Sequence, residues 1–191
     1  MKLTDKILIF LSIFVIILSL IQLSKLTGFA SSESMINLTV ETSANINFTS
    51  NRINFGSGRV ALGKDNATID TLGNVIDGNW SSTYQGFEIE NTGNTDIILT
   101  LRSDKNASEF LGGTNPSYEF NVSTIGINSC ESESFNLSEW YSLTTSEVMI
   151  CNNLSYEDNN DNIRIDIMLV IPSDAIIGSK SSNLIATGTA A

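Results

Sequence analysis

The sequence contains no histidine and few basic residues, and it has only two cysteines. Without histidine the chain lacks the commonest general base, the usual nitrogen ligand of metal ions, and any Ser-His or Cys-His catalytic pair. No pair of its carboxylates is marked as special by a spacing typical of glycosidases. We therefore predict a protein that is not an enzyme and that needs no cofactor and no metal.

Basic charge is scarce throughout the chain. The chain has ten Lys and Arg residues and 21 Asp and Glu residues, so the formal net charge is −11. The first 30 residues carry Lys2, Lys6 and Lys25 against Asp5 alone, which leaves −13 for the rest. The seven basic residues of that remainder are spread along it and form no cluster. Nucleic-acid binding requires a basic footprint, so we exclude that class of partner.

The one long apolar run lies at the N-terminus, at residues 7–23. A helix of 17 residues spans about 25 Å, which is marginal for a membrane core of roughly 30 Å. The stretch that follows, "SKLTGFA", places Gly28 and Ala30 as a small-x-small cleavage site. Two interpretations stay open: residues 1–30 are a signal peptide cut after Ala30, or they are a signal anchor whose residues 7–23 remain in the membrane.

Both interpretations place the rest of the chain outside the cytoplasm, at the cell surface or beyond it. The even cysteine count is typical of an exported protein, and we predict that Cys130 pairs with Cys151 rather than leaving two buried thiols. The disulfide would close a loop of about 20 residues, which stabilises a fold by roughly 3 kcal/mol on the loop-entropy estimate.

Residues 31–191 show the alternation of strands and no convincing helical period. We predict strands in "MINLTVE", around the turn of "INFTSNRINFGSG", and in "YEFNVSTIGI", "IRIDIMLVIP" and "SSNLIATGTAA". The clearest hairpin is "GFEIENTGNTDIILTLRS", in which "NTGN" supplies the turn residues. One short helix is compatible with "LSEWYSLTTSEV".

Short strands separated by Asn, Gly and Ser turns predict an all-β fold. We expect a single antiparallel β-sandwich or jelly-roll domain over residues 31–191, after the N-terminal signal or anchor helix. The predicted core consists of Phe48, Phe55, Phe87, Ile89, Leu99, Leu101, Phe120, Ile165, Ile167 and Leu169.

Eight Asn-x-Ser/Thr sequons make N-glycosylation a plausible modification of an exported chain. They lie at Asn37, Asn47, Asn66, Asn79, Asn106, Asn121, Asn136 and Asn153. Three of them, Asn37, Asn47 and Asn121, alternate with apolar neighbours, so we expect their side chains to project outward from the polar face of a strand.

The acidic stretch "EDNNDN" at residues 157–162 imitates the first half of a calcium loop. Its second half fails, because Ile163 stands where a glycine is needed and Leu169 where the closing Glu belongs. We therefore predict a hairpin turn of solvated polar residues. A set of aromatic residues can either stack on sugars or cover the ends of a sandwich, and we favour the second role for Trp80, Tyr84, Trp140 and Tyr141.

Three stretches together carry a family resemblance: "INFGSGRV", "FEIENTGNTDIILTL" and "IMLVIPSDAIIGSKSSNLIATGTA". The chain resembles the secreted all-β surface proteins of archaea, in particular the TasA/camelysin-like fibre proteins and archaeal bundling pilins. The resemblance implies a jelly-roll, no enzymatic activity, and polymerisation in which an N-terminal strand is donated to the next subunit.

The function predicted from these observations is that of a structural subunit of a cell-surface filament or coat. After cleavage the new N-terminus would present Ile36, Leu38 and Val40 on one face of a strand, ready to pair with a sheet edge of another copy. The alternative is a membrane-tethered surface binding module or adhesin, held by residues 7–23, and a secreted glycoside hydrolase is a more distant third.

Overall fold

The structure, a computed structural model, describes residues 3–23, 35, 37–126, 128–130 and 139–191. It divides into two compact units, Met1–Val40 and Glu41–Ala191. The boundary expected after Ala30 falls among residues 24–34, outside the described residues, so it stays a prediction.

The first unit contains the helix α1, Leu3–Leu23. Its 21 residues span about 31 Å, because each residue of an α-helix adds 1.5 Å. The helix is therefore long and apolar enough to cross a membrane, which a signal sequence near an N-terminus also is. It begins four residues before the apolar run of the sequence, and two of those four residues, Asp5 and Lys6, are charged.

The second unit is mostly β-sheet, arranged as two antiparallel sheets. One short helix, α2, accompanies the strands at Ala107–Phe110, and Asn106 caps it through a reciprocal pair of hydrogen bonds with Glu109. The strands are β1 Ile46–Ser50, β2 Asn66–Asp70, β3 Val75–Ile76, β4 Phe87–Asn91, β5 Ile97–Ser103, β6 Ser117–Thr124, β7 Tyr141–Ser142, β8 Val148–Leu154, β9 Asn162–Pro172 and β10 Leu184–Ala190.

The larger sheet is organised around β9, which is 11 residues long. One edge of β9 pairs with β6, while its other edge pairs first with β4 and then with β2. The strands β1, β3 and β7 extend this sheet from β4, β2 and β6. Since β9 is interior to the sheet, its sequence changes from alternating to continuously apolar, as predicted for an inner strand.

The smaller sheet has the order β10-β5-β8. The β5–β10 register is continuous from Ile97 opposite Ala190 to Ser103 opposite Leu184, whereas the β5–β8 register is interrupted by two irregularities. In β5 every second residue is buried, which is the alternation expected of a strand with one face on a core.

Both sheets contribute side chains to one hydrophobic cluster. Of the predicted core, Ile89, Leu99, Leu101, Phe120, Ile165, Ile167 and Leu169 are buried, and the remaining three residues, Phe48, Phe55 and Phe87, are half-buried against that cluster. The two rings of Phe48 and Phe87 pack edge to face, with centroids 6.0 Å apart.

The predicted hairpin around "NTGN" is wrong. The strands on either side of this turn form, but β4 belongs to the larger sheet and β5 to the smaller one. The cause is Asn91, whose buried side-chain Nδ2 donates to the carbonyls of Thr95, Leu154 and Ser155 at 2.9, 3.2 and 3.2 Å. These bonds hold the chain in a corner that passes from one sheet to the other.

Two further predictions of local structure are also wrong. Residues 139–148 form no helix, and Tyr141–Ser142 instead pairs with β6 as β7. Within "MINLTVE" the described residues 37–41 form no strand, and Ile36 lies outside the described residues. The second half of "INFTSNRINFGSG" likewise forms no strand, although Ile53 and Phe55 pack against the core.

Candidate functional site

The segment predicted to donate a strand is exposed where the structure describes it. Leu38 is 84% exposed and Val40 is 76% exposed, and Met35 is 84% exposed. Large apolar side chains of this kind are usually buried in a folded protein, and each contributes about 1.5–3 kcal/mol when it is buried. The segment is thus available for burial against another surface.

The second unit begins at a corner that we call the proximal end, formed by residues 41–45 and 91–96. The side chain of Asn94 clamps the incoming chain: its Oδ1 accepts from the Ser43 N–H at 2.7 Å and its Nδ2 donates to the Glu41 carbonyl at 3.0 Å. The Asn94 N–H also donates to the Ser43 carbonyl at 3.0 Å. The C-terminus lies at the same end, because the Ala191 N–H donates to the Asp96 carbonyl at 3.0 Å.

A groove of about 1360 Å³ opens at the opposite, distal end of this unit. Its apolar lining includes Ile167, Leu169 and Ile171 from the second half of β9, and residues 51–64, 173 and 175–183 also line it. We call this surface the distal groove. Its position follows from the course of β9. The Asp161 carbonyl, just before β9, accepts from the Asn91 N–H at the proximal end. From there β9 runs toward the opposite end of the unit, so its second half lies at the distal end.

The rim of the distal groove is apolar. Leu62 and Ile177 are fully exposed and Ile176 is 72% exposed, and all three line the groove. Single exposed apolar residues are ordinary, whereas exposed apolar residues that line one groove are typical of a surface that binds a partner.

The distal groove is also basic. Four of the seven basic residues that follow residue 30 line it, namely Arg52, Arg59, Lys64 and Lys180. Residues that are spread along the sequence thus share the lining of one groove, although Lys64 is paired there with Asp77 at 2.8 Å. A signal was present in the sequence, because residues 42–64 contain three of these residues and no Asp or Glu.

Two carboxylates hold the wall of the groove at its ends. Asp174 accepts from the N–H and the hydroxyl of Thr114 at 2.9 and 2.7 Å, and Asp104 accepts from the Asn183 N–H at 2.7 Å and from the Ser182 hydroxyl at 2.8 Å. These hydrogen bonds favour the charged forms, so the pKa of each carboxyl lies below its usual value. The wall between them carries Ile176 and Ile177.

Among the residues that the structure describes, the most buried charged residue is Asp166, within β9. Its carboxylate accepts from Arg164 Nε at 3.0 Å and Nη2 at 2.8 Å, and from the Thr71 hydroxyl at 2.6 Å. Hydrogen bonding to Asp166 raises the pKa of Arg164. Arg164 Nη2 also donates to the Tyr84 carbonyl at 2.9 Å, and the Ile167 N–H donates to the Thr71 hydroxyl oxygen at 3.0 Å. The cluster ties the segments after β2 and before β4 to β9.

The predicted disulfide is present. Cys130 and Cys151 are joined by an S–S bond of 2.06 Å, with their Cα atoms 5.8 Å apart. The bond ties the segment after β6 to the middle of β8, next to a backbone bridge between Cys130 and Leu154. With the apolar N-terminal helix, this disulfide is consistent with a location outside the cell or at its membrane.

The sequons differ in their accessibility. The asparagines are exposed at 37, 47, 66, 79 and 106, and Asn153 is half-buried. Asn136 lies outside the described residues. The expectation that Asn121 projects outward is wrong, because its side chain is buried and its Nδ2 donates to the Glu139 carbonyl at 2.7 Å.

The acidic stretch 157–162 is not a hairpin turn, because it connects β8 of the smaller sheet to β9 of the larger sheet. Its last carboxylate, Asp161, is buried rather than solvated, and accepts from Asn162 Nδ2 at 2.8 Å. Among the residues that the structure describes, no group of three or more Cys, Asp or Glu residues could hold a metal ion.

The four candidate aromatic residues do not share one surface. Trp80 is half-buried and lines the distal groove, whereas Tyr84 is exposed and lies outside the groove lining. Tyr141 packs with Phe120 on the other side of β9, with ring centroids 6.1 Å apart, and Trp140 beside it is half-buried.

Comparison with known proteins returned no matching family model, no matching curated protein and no matching solved structure. The resemblance to archaeal fibre proteins therefore stays a prediction from the sequence.

Proposed function

We propose that the chain is a non-enzymatic structural subunit that is exported and assembles with copies of itself into a filament or coat at the cell surface. Within this proposal the two sheets face each other as a β-sandwich of the jelly-roll kind, and the source is archaeal, as the sequence resemblance implies. The segment at residues 35–40 of one copy adds to a sheet edge of the next copy.

The observation that carries the proposal is the exposure of Leu38 and Val40 in an alternating segment. These residues are two apart, so an extended backbone places both side chains on one face. Burying them is worth about 1.5–3 kcal/mol each before ordering costs, and the added backbone hydrogen bonds fix the segment along a strand.

The test is a pair of single substitutions that add the same charge to opposite faces of the segment. Leu38→Asp places a carboxylate on the face that would be buried, whereas Thr39→Asp places it on the face that would remain in solvent. We expect Leu38→Asp to abolish fibres in electron micrographs and Thr39→Asp to retain them, while circular dichroism stays unchanged in both variants.

Fibres of ordinary appearance from Leu38→Asp would contradict the proposal. So would native protein that remains monomeric at high concentration after its leader has been removed. Sequencing of the mature N-terminus completes the test, because a start at Ser31 would show that the donor segment is free of its leader.

One observation favours a second candidate function, a membrane-tethered binding module. The helix α1 is long and apolar enough to cross a membrane, and so to hold an uncleaved chain there. An intact Met1 on membrane-bound monomers would support this alternative.

A further inference from the structure

We infer that the distal groove and the free edge of β10 form the acceptor site for residues 35–40 of a second copy. This inference rests on the proposed function and assigns the surface at which the donated segment binds. It joins the proximal end of one subunit to the distal end of the next, which is a head-to-tail contact.

The strand β10 is the edge best suited to accept another strand. It pairs only with β5 among the described residues, and its register is continuous over seven residues. Its sequence, "LIATGTA", contains no charge and no proline, which are the usual devices that protect an edge. By contrast, the pairings of the edge strands β1 and β8 contain irregularities.

The groove adjoins the Leu184 end of β10. Near the proximal end the core face of β10 packs on β1, because a Cβ atom at Gly188 would stand 3.0 Å from Ile46 Cγ2 and 3.0 Å from Ile97 Cδ1. Toward the other end of the same strands, Leu184 and Phe48 both line the distal groove. Ile46 thus occupies the face of β10 and not its outer edge, so an added strand can follow that edge from the distal end.

The donor segment matches this site in length and charge. Six extended residues span about 20 Å, similar to the roughly 23 Å of β10. The segment is flanked by Glu33 and Glu41 and has no basic residue between them, while the groove carries Arg52, Arg59 and Lys180. Opposite charges of this kind steer association and fix its orientation.

The two ends of the subunit explain why a chain of copies results rather than a closed pair. The second unit begins at Glu41 at the proximal end, whereas the distal groove lies at the other end of the strands. A donor that leaves one end and an acceptor at the opposite end give a heterologous contact, which repeats into a filament when it does not close into a ring.

The first test traps the contact with a disulfide between two differently tagged full-length chains that are co-expressed and exported by one cell. One chain carries Leu38→Cys and the other carries Ile177→Cys at the rim of the groove. The matched control replaces the second substitution by Ile125→Cys, which is also exposed but follows the end of β6. We expect a mixed disulfide with Ile177→Cys and at least tenfold less with Ile125→Cys.

The second test reverses charge. Arg59→Glu, at the groove, is compared with Arg102→Glu, which is outside the groove lining. We expect Arg59→Glu to slow assembly about tenfold at low salt, with the difference lost near 1 M salt, because screening removes steering. Adding Glu41→Arg to Arg59→Glu should recover part of the rate.

The outcomes separate this inference from the proposed function. If wild-type fibres form but Leu38→Cys does not cross-link to Ile177→Cys, the acceptor site is wrong and the proposed function stands. If the native chain forms no fibres and no mixed disulfide forms, the acceptor site and the proposed function both fail.

Discussion

Removing Asp166 and Arg164, singly and together, tests whether the cluster at β9 stabilises the second unit. Asp166→Ala leaves the Arg164 guanidinium without its carboxylate and the Thr71 hydroxyl without its acceptor. Arg164→Ala leaves the carboxylate of a buried Asp with the hydroxyl alone. The double variant removes both charges, so a double-mutant cycle isolates the interaction between them.

The expected size follows from burial. The side chain of Asp166 is 5% exposed and that of Arg164 is 27% exposed, with 2.8 Å between Nη2 and Oδ1. Breaking a fully buried pair costs about 3–5 kcal/mol, and partial exposure of the arginine lowers this value, so we expect about 2–4 kcal/mol for Asp166→Ala. The coupling energy should be about 2 kcal/mol.

A second cycle on Lys64 and Asp77 is the control. Their charged atoms are also 2.8 Å apart, but the side chains are 51% and 40% exposed. We expect a coupling of about 0–1 kcal/mol there, because exposed pairs are solvated and screened. The shortest distances are equal, but the pair at β9 is more buried and also has a second guanidinium contact, and both differences favour a larger coupling there.

Urea unfolding of the full chain in detergent micelles, followed by tryptophan fluorescence, provides the four free energies of each cycle. The slopes with urea should agree among variants, so that midpoints report stability. A coupling between Asp166 and Arg164 below about 0.5 kcal/mol, or no greater than in the control cycle, would refute the argument from burial.

Three other outcomes are expected. Cys130→Ser should lower the melting temperature by about 6–12 °C in calorimetry, since loop closure is worth roughly 3 kcal/mol. Mass spectrometry of protein from a glycosylating host should find glycan at Asn47 more often than at Asn121, whose Nδ2 is buried and bonded. The lowered pKa values of Asp104 and Asp174 stabilise the groove wall above pH 3.8, and this contribution should disappear as pH falls through the lowered values; protection factors of the wall amides against hydrogen exchange that do not fall there would contradict it.

Local patterns predicted the strands well where the sequence alternates over many residues. β6, β9 and β10 lie where they were expected, and in β6 and the first half of β9 the sequence alternates as a strand with one buried face does. β2 was missed because "NATID" offers only two apolar residues, and its burial comes from pairing with β9.

The same patterns could not predict which strands pair with one another. The turn residues of "NTGN" suit a hairpin and a corner equally, and what selects the corner is Asn91 bonding to Leu154 and Ser155, more than 60 residues away. The distal groove escaped prediction for a similar reason, since Lys180 joins Arg52 and Arg59 only after the chain has folded.

The central place of β9 has a consequence for the order of events in time. Three strands made earlier, β2, β4 and β6, all find their partner in residues 162–172. Until β9 is available, β2, β4 and β6 cannot pair into the larger sheet. Contacts between residues so distant in sequence also form slowly. A chain translocated from its N-terminus would therefore cross a membrane almost completely before its larger sheet could lock, and the translocation channel would meet no finished domain to unfold.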